Sequence, residues 1–221
     1  MLPPSPADAW AHLDAFLAEH VPALAADLAA PASEADIQIL ADTVGLTTTE
    51  PFAALYRFHD GQQSPTPGLF FGLQFLSSAE AAQEWERWAE QLRDDPALVT
   101  DIEASAVPEG TVRAVYASDR WVPFASDGAG NHLAIDLDPG PDGTPGQVIS
   151  FGVDEATRFL LELGGNADDF GDGYLDHAVV VVLGWDGALA KGSHRGEGSE
   201  GKDEEITNVL HNDVLVKSFR L

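Results

Sequence analysis

Two histidine–carboxylate pairs are the residues whose types and spacing could do chemistry. His59 is followed directly by Asp60, and His132 precedes Asp136 by four positions. An imidazole oriented by a carboxylate is the usual arrangement for moving a proton, so either pair would suit a small-molecule hydrolase. A plainer role competes with this. His59 stands where a helix pattern runs out before Gly61, and a donor side chain there complements the helix dipole. The other histidines, His12, His20, His177, His194 and His211, are scattered, and no His-x₃-His pair with a nearby acid occurs, so a zinc hydrolase is not expected. Cysteine is absent, which removes thiolate nucleophiles, zinc thiolate sites and disulfides. The reading assigns no catalytic residue, no metal site and no cofactor.

Two Asp/Gly clusters invite a calcium reading, since Ca²⁺ takes several oxygen ligands from one tight loop. One runs from Asp136 and Asp138 to Asp142-Gly143, the other from Asp168-Asp169 to Asp172-Gly173 and Asp176. Counted from Asp138, the closing glutamate of an EF-hand falls on Ile149; counted from Asp168, it falls on Val179. Neither register works, and the turn preference of Asp and Gly accounts for both clusters, although another kind of calcium loop stays open. Gly196-Glu-Gly198-Ser-Glu-Gly201 has dinucleotide-loop spacing, but no strand precedes it and its glutamates would repel a pyrophosphate. Ser199 has Glu197 two residues before it and so is no nucleophile elbow.

The elements that must position these residues begin with helices. Trp10, Leu13, Leu17, Val21, Leu24 and Leu28 form one stripe, which Pro22 splits after His20. Ser33 caps a helix over about 34–44 that Gly45 ends. Thr48-Thr49-Glu50-Pro51 supplies a threonine cap and a first-turn proline for a helix carrying Phe52, Leu55, Tyr56 and His59. Leu69, Phe71, Leu73 and Phe75 alternate as in a strand. Ser77-x-x-Glu80 is a capping box opening a helix in which Trp85, Trp88 and Leu92 share a face. Strands follow at Val112–Tyr116, Trp121–Ala125, His132–Leu137 and Gln147–Phe151, separated by Gly/Pro turns. Asp154 is expected to cap a short helix with Phe159, Leu160 and Leu163. Ala178–Leu183 reads as a strand, Lys191–Glu205 as a loop, and 206–219 fits either helix or strand. Helices first and strands after make an α+β chain.

Composition bounds the partners. The 221 residues carry 11 Lys plus Arg against 37 Asp plus Glu, a formal charge of −26. That field opposes nucleic acid and anionic membrane surfaces and favours a basic protein. With 44% hydrophobic residues the chain can build a core. The opening Met1–Pro6 has no basic and apolar signal-peptide pattern, and Ala178–Gly184, the longest apolar run, is too short for a membrane span. A cytoplasmic location is the expectation.

The stretch Trp121–Asp138 reads as a hairpin whose turn is Ser126–Asn131. Val122 and Phe124 face one way with Leu133 and Ile135. Trp121 faces the other, alongside His132, Ala134 and Asp136. Two readings of that second face stand open: an exposed tryptophan patch for a partner, or a face covered by a helix.

This hairpin, with Pro139-Gly140-Pro141 and Gln147–Gly152 after it, strongly resembles the fungal cell-wall assembly regulators of the Smi/Knr type, within the SUKH superfamily. Phe58-His-Asp-Gly-Gln62 and Gly68-Leu-Phe-Phe-Gly-Leu-Gln74 agree with the family in order and spacing, and the resemblance spans about 35–165. Shared residues are Gly61, Trp121, Pro123, Asp127, Gly130, Asn131 and Asp136. The resemblance implies an α+β fold, with N-terminal helices packed on a mainly antiparallel sheet, and no enzymatic chemistry. Three parts are expected: an N-terminal helical segment 1–32, a SUKH-like core 33–165, and a C-terminal extension 166–221 with a strand and an acidic Gly/Ser-rich loop.

Two roles follow from the family. Fungal relatives look like regulatory hubs that bind signalling proteins of cell-wall synthesis. Bacterial relatives are largely regarded as immunity proteins that neutralise toxins, many of them basic nucleases. The expected function is a non-enzymatic protein-binding module of regulatory or scaffold kind. The alternatives are an immunity protein and, further off, a hydrolase using His132 and Asp136. Partner contact is expected at His59, Asp60, Trp121, Asp127, Asn131, His132 and Asp136.

Overall fold

A computed structural model describes residues 6–65, 68–97 and 104–153, together with the backbone of strands at 155–160, 207–211 and 214–218. Helix α1 (Pro6–His20) buries Ala9, Trp10, Leu13 and Leu17, and Pro22 then begins α2 (Pro22–Asp27), where its missing N–H costs no helical bond. Helix α3 (Glu34–Thr43) opens with a capping box. The Ser33 hydroxyl accepts from the Asp36 N–H at 3.2 Å, and Asp36 accepts from the Ser33 N–H at 3.2 Å. Gly45, at φ +74°, turns the chain after it. In α4 (Glu50–Tyr56) the Thr49 side chain makes no cap bond; the Thr48 hydroxyl accepts from the Glu50 N–H instead. The longest helix, α5 (Ser78–Asp94), has the expected Ser77–Glu80 capping box.

The sheet has six strands in the order β1-β3-β4-β5-β6-β2. They are β1 (Gln74–Phe75), β2 (Ser105–Val107), β3 (Trp121–Ser126), β4 (Asn131–Asp136), β5 (Gln147–Gly152) and β6 (Glu155–Leu160). All neighbours pair antiparallel except β2 with β6, which is parallel. The chain is thus α+β, with N-terminal helices packed on a mainly antiparallel sheet. A separate hairpin joins β7 (Thr207–His211) to β8 (Val214–Ser218), which selects strand over helix for that stretch.

Each face of the sheet has its own core. On one face Val122, Phe124, Leu133 and Ile135 pack with Trp10, Leu13, Leu17, Ile37, Phe52, Tyr56 and Phe75 from the N-terminal helices and β1. On the other, Trp121, Ala134, Ile149 and Phe151 pack under Trp88 of α5 and under Val112 and Ala117 of the preceding loop. At about 25 cal/mol per Å² of apolar area, burial on both faces is the main stabilising term.

Three expected elements take other forms. Positions 69–75 do not run as one strand. Phe71 at φ +54° and Gly72 at φ +84° fold 68–73 into a tight turn, and pairing with β3 begins only at Gln74. Residues 112–116 are irregular, because Val112 and Ala117 are the buried positions there and a spacing of five does not fit a strand. After Val153 the chain forms β6 rather than a helix, since backbone bonds to both β5 and β2 outweigh a local helix pattern. The Ala178–Leu183 strand, the Lys191–Glu205 loop, Gly196–Gly201 and the Asp168–Asp176 cluster lie outside the described residues. Among the described residues no helix is long and apolar enough to cross a membrane.

Candidate functional site

The β3–β4 hairpin carries most of the candidate residues, and its turn is built by one carboxylate. Asp127 Oδ1 accepts from the N–H groups of Ala129 (2.7 Å) and Asn131 (3.0 Å), while Oδ2 accepts from Asn131 Nδ2 at 2.7 Å. Burial alone would raise the Asp127 carboxyl, but these bonds, with His132 nearby, hold it below the ordinary carboxylate value. Gly130 sits at φ +107°, and a side chain at Gly152 would meet Asn131 Oδ1 at 2.3 Å. Asp127 is exposed and Asn131 half-buried, so this turn is presented to solvent.

Behind the turn the second face is interior. The register sets Trp121 opposite Asp136, and Asp136 opposite Gln147, in one row across three strands. Asp136 is 0% exposed. It accepts from the Asp138 N–H at 3.0 Å and from Gln147 Nε2 at 2.9 Å, and the nearby Trp121 side chain also favours its charged form. Burial raises its carboxyl above the ordinary value despite these bonds. Gln147 is itself fixed, donating to the Thr111 carbonyl at 2.8 Å and accepting from the Thr144 N–H at 3.0 Å.

His132 lies one pleat pair away, between Trp88 (ring centroids 6.0 Å) and Phe151 (5.2 Å). Burial pushes its pKa down to about 4, so the ring is neutral at pH 7, and Nδ1 meets no hydrogen-bond partner among the described residues. The expected pairing of His132 with Asp136 is not made. Asp136 is held by Gln147 and Asp138, and His132 packs between Trp88 and Phe151. Of the two readings of the Trp121 face, the structure selects the covered one: Trp121 is 0% exposed, because α5 and the 111–120 loop cover that face, so it is not a surface contact residue.

His59 and Asp60 form a second cluster with a joining role. His59 Nδ1 lies 2.9 Å from the Ala29 carbonyl and Nε2 lies 3.0 Å from Asp14 Oδ1, so the ring links α1 to the chain after α2. Asp60 Oδ1 accepts from the Ser78 N–H at 2.7 Å, at the first turn of α5. Gly61, at φ +82°, lies so close that a Cβ there would meet Ser77 N at 2.4 Å. Gln62, whose role its residue type did not reveal, is the pin of this cluster. Its Oε1 accepts from the N–H groups of Leu69 (2.8 Å) and Phe75 (2.9 Å), and its Nε2 donates to Asp27 Oδ2 at 3.3 Å. Among the described residues no group of three or more His, Asp or Glu side chains is placed to hold a metal ion. In the described Asp/Gly cluster, Asp136 is committed to its interior bonds and Asp138 to Arg113.

A family model described as the SMI1/KNR4 family (SUKH-1) matches residues 31–173. The cell wall assembly regulator SMI1 of Saccharomyces cerevisiae is 31% identical over 208 residues, covering 80% of this chain and 40% of its own length. The cell wall biosynthesis/cell cycle regulator smi1 of Schizosaccharomyces pombe is 34% identical over 171 residues, with 72% and 34% covered. A KNR4/SMI1 homolog of Kluyveromyces lactis is 30% identical, with 80% and 44% covered. The chain therefore spans less than half the length of these relatives.

Proposed function

The chain belongs to the SMI1/KNR4 family (SUKH-1), and from that premise we propose that it is a non-enzymatic regulatory module that works by docking to another protein. One observation carries this reading. The titratable pairs that could have done chemistry are spent on structure or shut away from solvent: His59 is bonded to Asp14 and the Ala29 carbonyl, Asp136 to Gln147 and Asp138, and His132, whose Nδ1 has no partner among the described residues, is 3% exposed between Trp88 and Phe151. A catalytic base needs a free lone pair within reach of a substrate proton. The partner surface is then the Asp127–Asn131 turn. His132 and the buried Trp121–Asp136 row stiffen the hairpin that carries it, and His59 and Asp60 join the helices to one another. The relatives' names as cell wall regulators support a partner from cell-wall synthesis or signalling.

The formal charge of −26 favours a basic partner and so keeps one alternative, neutralisation of a basic toxin. Affinity purification of the full chain from its host, with mass spectrometry, separates the readings. Cell-wall synthesis or signalling proteins, lost with Asp127→Lys, are the expected result. A secreted toxin would assign the alternative, and turnover of a small compound that His132→Ala abolishes without unfolding would overturn docking altogether.

A further inference from the structure

A groove of about 470 Å³ lies between α5 and the 113–119 loop. Ala89 and the fully buried Ala117 give it small side chains, and Trp85, Leu92 and Val115 give it apolar walls. Trp85 is fixed in place, because its Nε1 donates to the Asp119 carbonyl at 2.8 Å. Arg93, Arg113, Ser118 and Asp119 complete the lining, and Arg113 is already paired with Asp138.

The arginines say what would enter. Five have described side chains, and three face carboxylates: Arg57 with Glu34, Arg87 with Glu84 and Arg113 with Asp138. Arg93, in the last turn of α5, is exposed and makes no ion pair among the described residues. In a chain with more than three acids for every base, a guanidinium that meets no carboxylate among the described residues, beside apolar walls, suits a carboxylate from outside. Arg93 is eight residues from Trp85, about 12 Å along the helix, which an extended peptide covers in about four residues.

The geometry points to this groove as a docking site for a short acidic segment of a partner protein. One large apolar side chain of the segment seats against Trp85 and Leu92, and a flanking carboxylate pairs with Arg93. The site is separate from the Asp127–Asn131 turn and does not rest on the docking role assigned to that turn. At physiological salt the screening length is about 8 Å, so the local guanidinium contact outlasts the long-range repulsion between an acidic peptide and this acidic chain.

The test uses the full chain and fluorescein-labelled hexapeptides, read by fluorescence polarisation in 150 mM salt. Glu-Glu-Leu-Phe-Asp-Asp is expected to bind with a Kd of about 100 μM or tighter. Arg93→Glu, a surface change that leaves thermal melting intact, should weaken it about tenfold or more. Ala89→Phe, which fills the groove, should do the same, while Asp127→Lys should not. A Gly-Ser replacement of the Leu-Phe pair should bind more weakly than the parent peptide. Equal or tighter binding of the Lys-Lys-Leu-Phe-Lys-Lys peptide would overturn the proposal, as would binding indifferent to Arg93→Glu. Self-association of the chain that Arg93→Glu abolishes would assign the groove to a second copy and overturn it too.

Discussion

Gln62→Ala tests whether one amide holds the helical layer to the first strand. The substitution removes an oxygen that accepts from two backbone N–H groups, of Leu69 and Phe75, at a position 5% exposed. A buried donor left unpaired costs about 1–3 kcal/mol, so two cost about 2–6 kcal/mol, and some relaxation of the 68–73 turn should bring the loss to about 4 kcal/mol. That is a large part of the stability of an ordinary domain. Gln62→Glu keeps the acceptor but sets a carboxylate oxygen where Nε2 now donates to Asp27 at 3.3 Å. Asp27→Asn restores a donor across that contact. The double variant should therefore be more stable than the sum of the single losses by about 1 kcal/mol or more. Urea unfolding at pH 7, followed by tryptophan fluorescence, gives all three values. A Gln62→Ala loss under about 0.5 kcal/mol, or strict additivity of the pair, would refute the account.

Four further outcomes follow from the same geometry. His132, with its folded pKa near 4 against an ordinary 6.5, contributes stability that is complete above pH 6.5 and lost as pH falls toward 4, by about 3 kcal/mol in full. His132→Phe should flatten that acid limb in pH-dependent unfolding, and parallel curves for the two proteins would count against the burial argument. Asp136 has the opposite sign: its raised carboxyl takes up a proton in the folded state first, so its contribution is present at acid pH and lost as pH rises through the folded value. Gly152→Ala should lower stability by about 1–3 kcal/mol, because the new methyl meets Asn131 Oδ1 and the Gly130 carbonyl; an unchanged melting temperature would show the hairpin can yield. Ser77→Ala should cost about 1 kcal/mol through loss of the α5 cap, read by the same denaturant titration.

What the sequence disclosed depended on whether the signal was local. Ser33, Pro22 and Ser77–Glu80 act through neighbours three or four residues away, so the starts of α2, α3 and α5 were legible. The hairpin was legible as well, with the alternation inside each strand, because alternation and an Asp/Gly turn are short-range facts; the pairing of the two strands, which shifts between Pro123 and Ala125, was not. Whether the Trp121 face met water was not, since that depends on α5, whose first residue lies forty-three positions before Trp121. The 155–160 strand was hidden for a like reason: its bonds come from β5 and from the distant β2. Gln62 and Gln147 carry no pattern at all, as a buried amide and an exposed one look alike in a sequence.

The ring of His59 reaches back to Asp14, and Trp10 donates to the Ala54 carbonyl at 2.8 Å while packing against Phe58 and Phe75. The family-matched segment opens only at Pro31, downstream of α1, which makes those contacts, and of α2. A fragment trimmed to that start would strip Trp10, Leu13, Leu17 and Leu24 from the larger core and bare the aromatic floor beneath them. The limit drawn by shared ancestry is consequently not a place where the molecule can be cut, since α1 and α2 belong to the same core as the sheet.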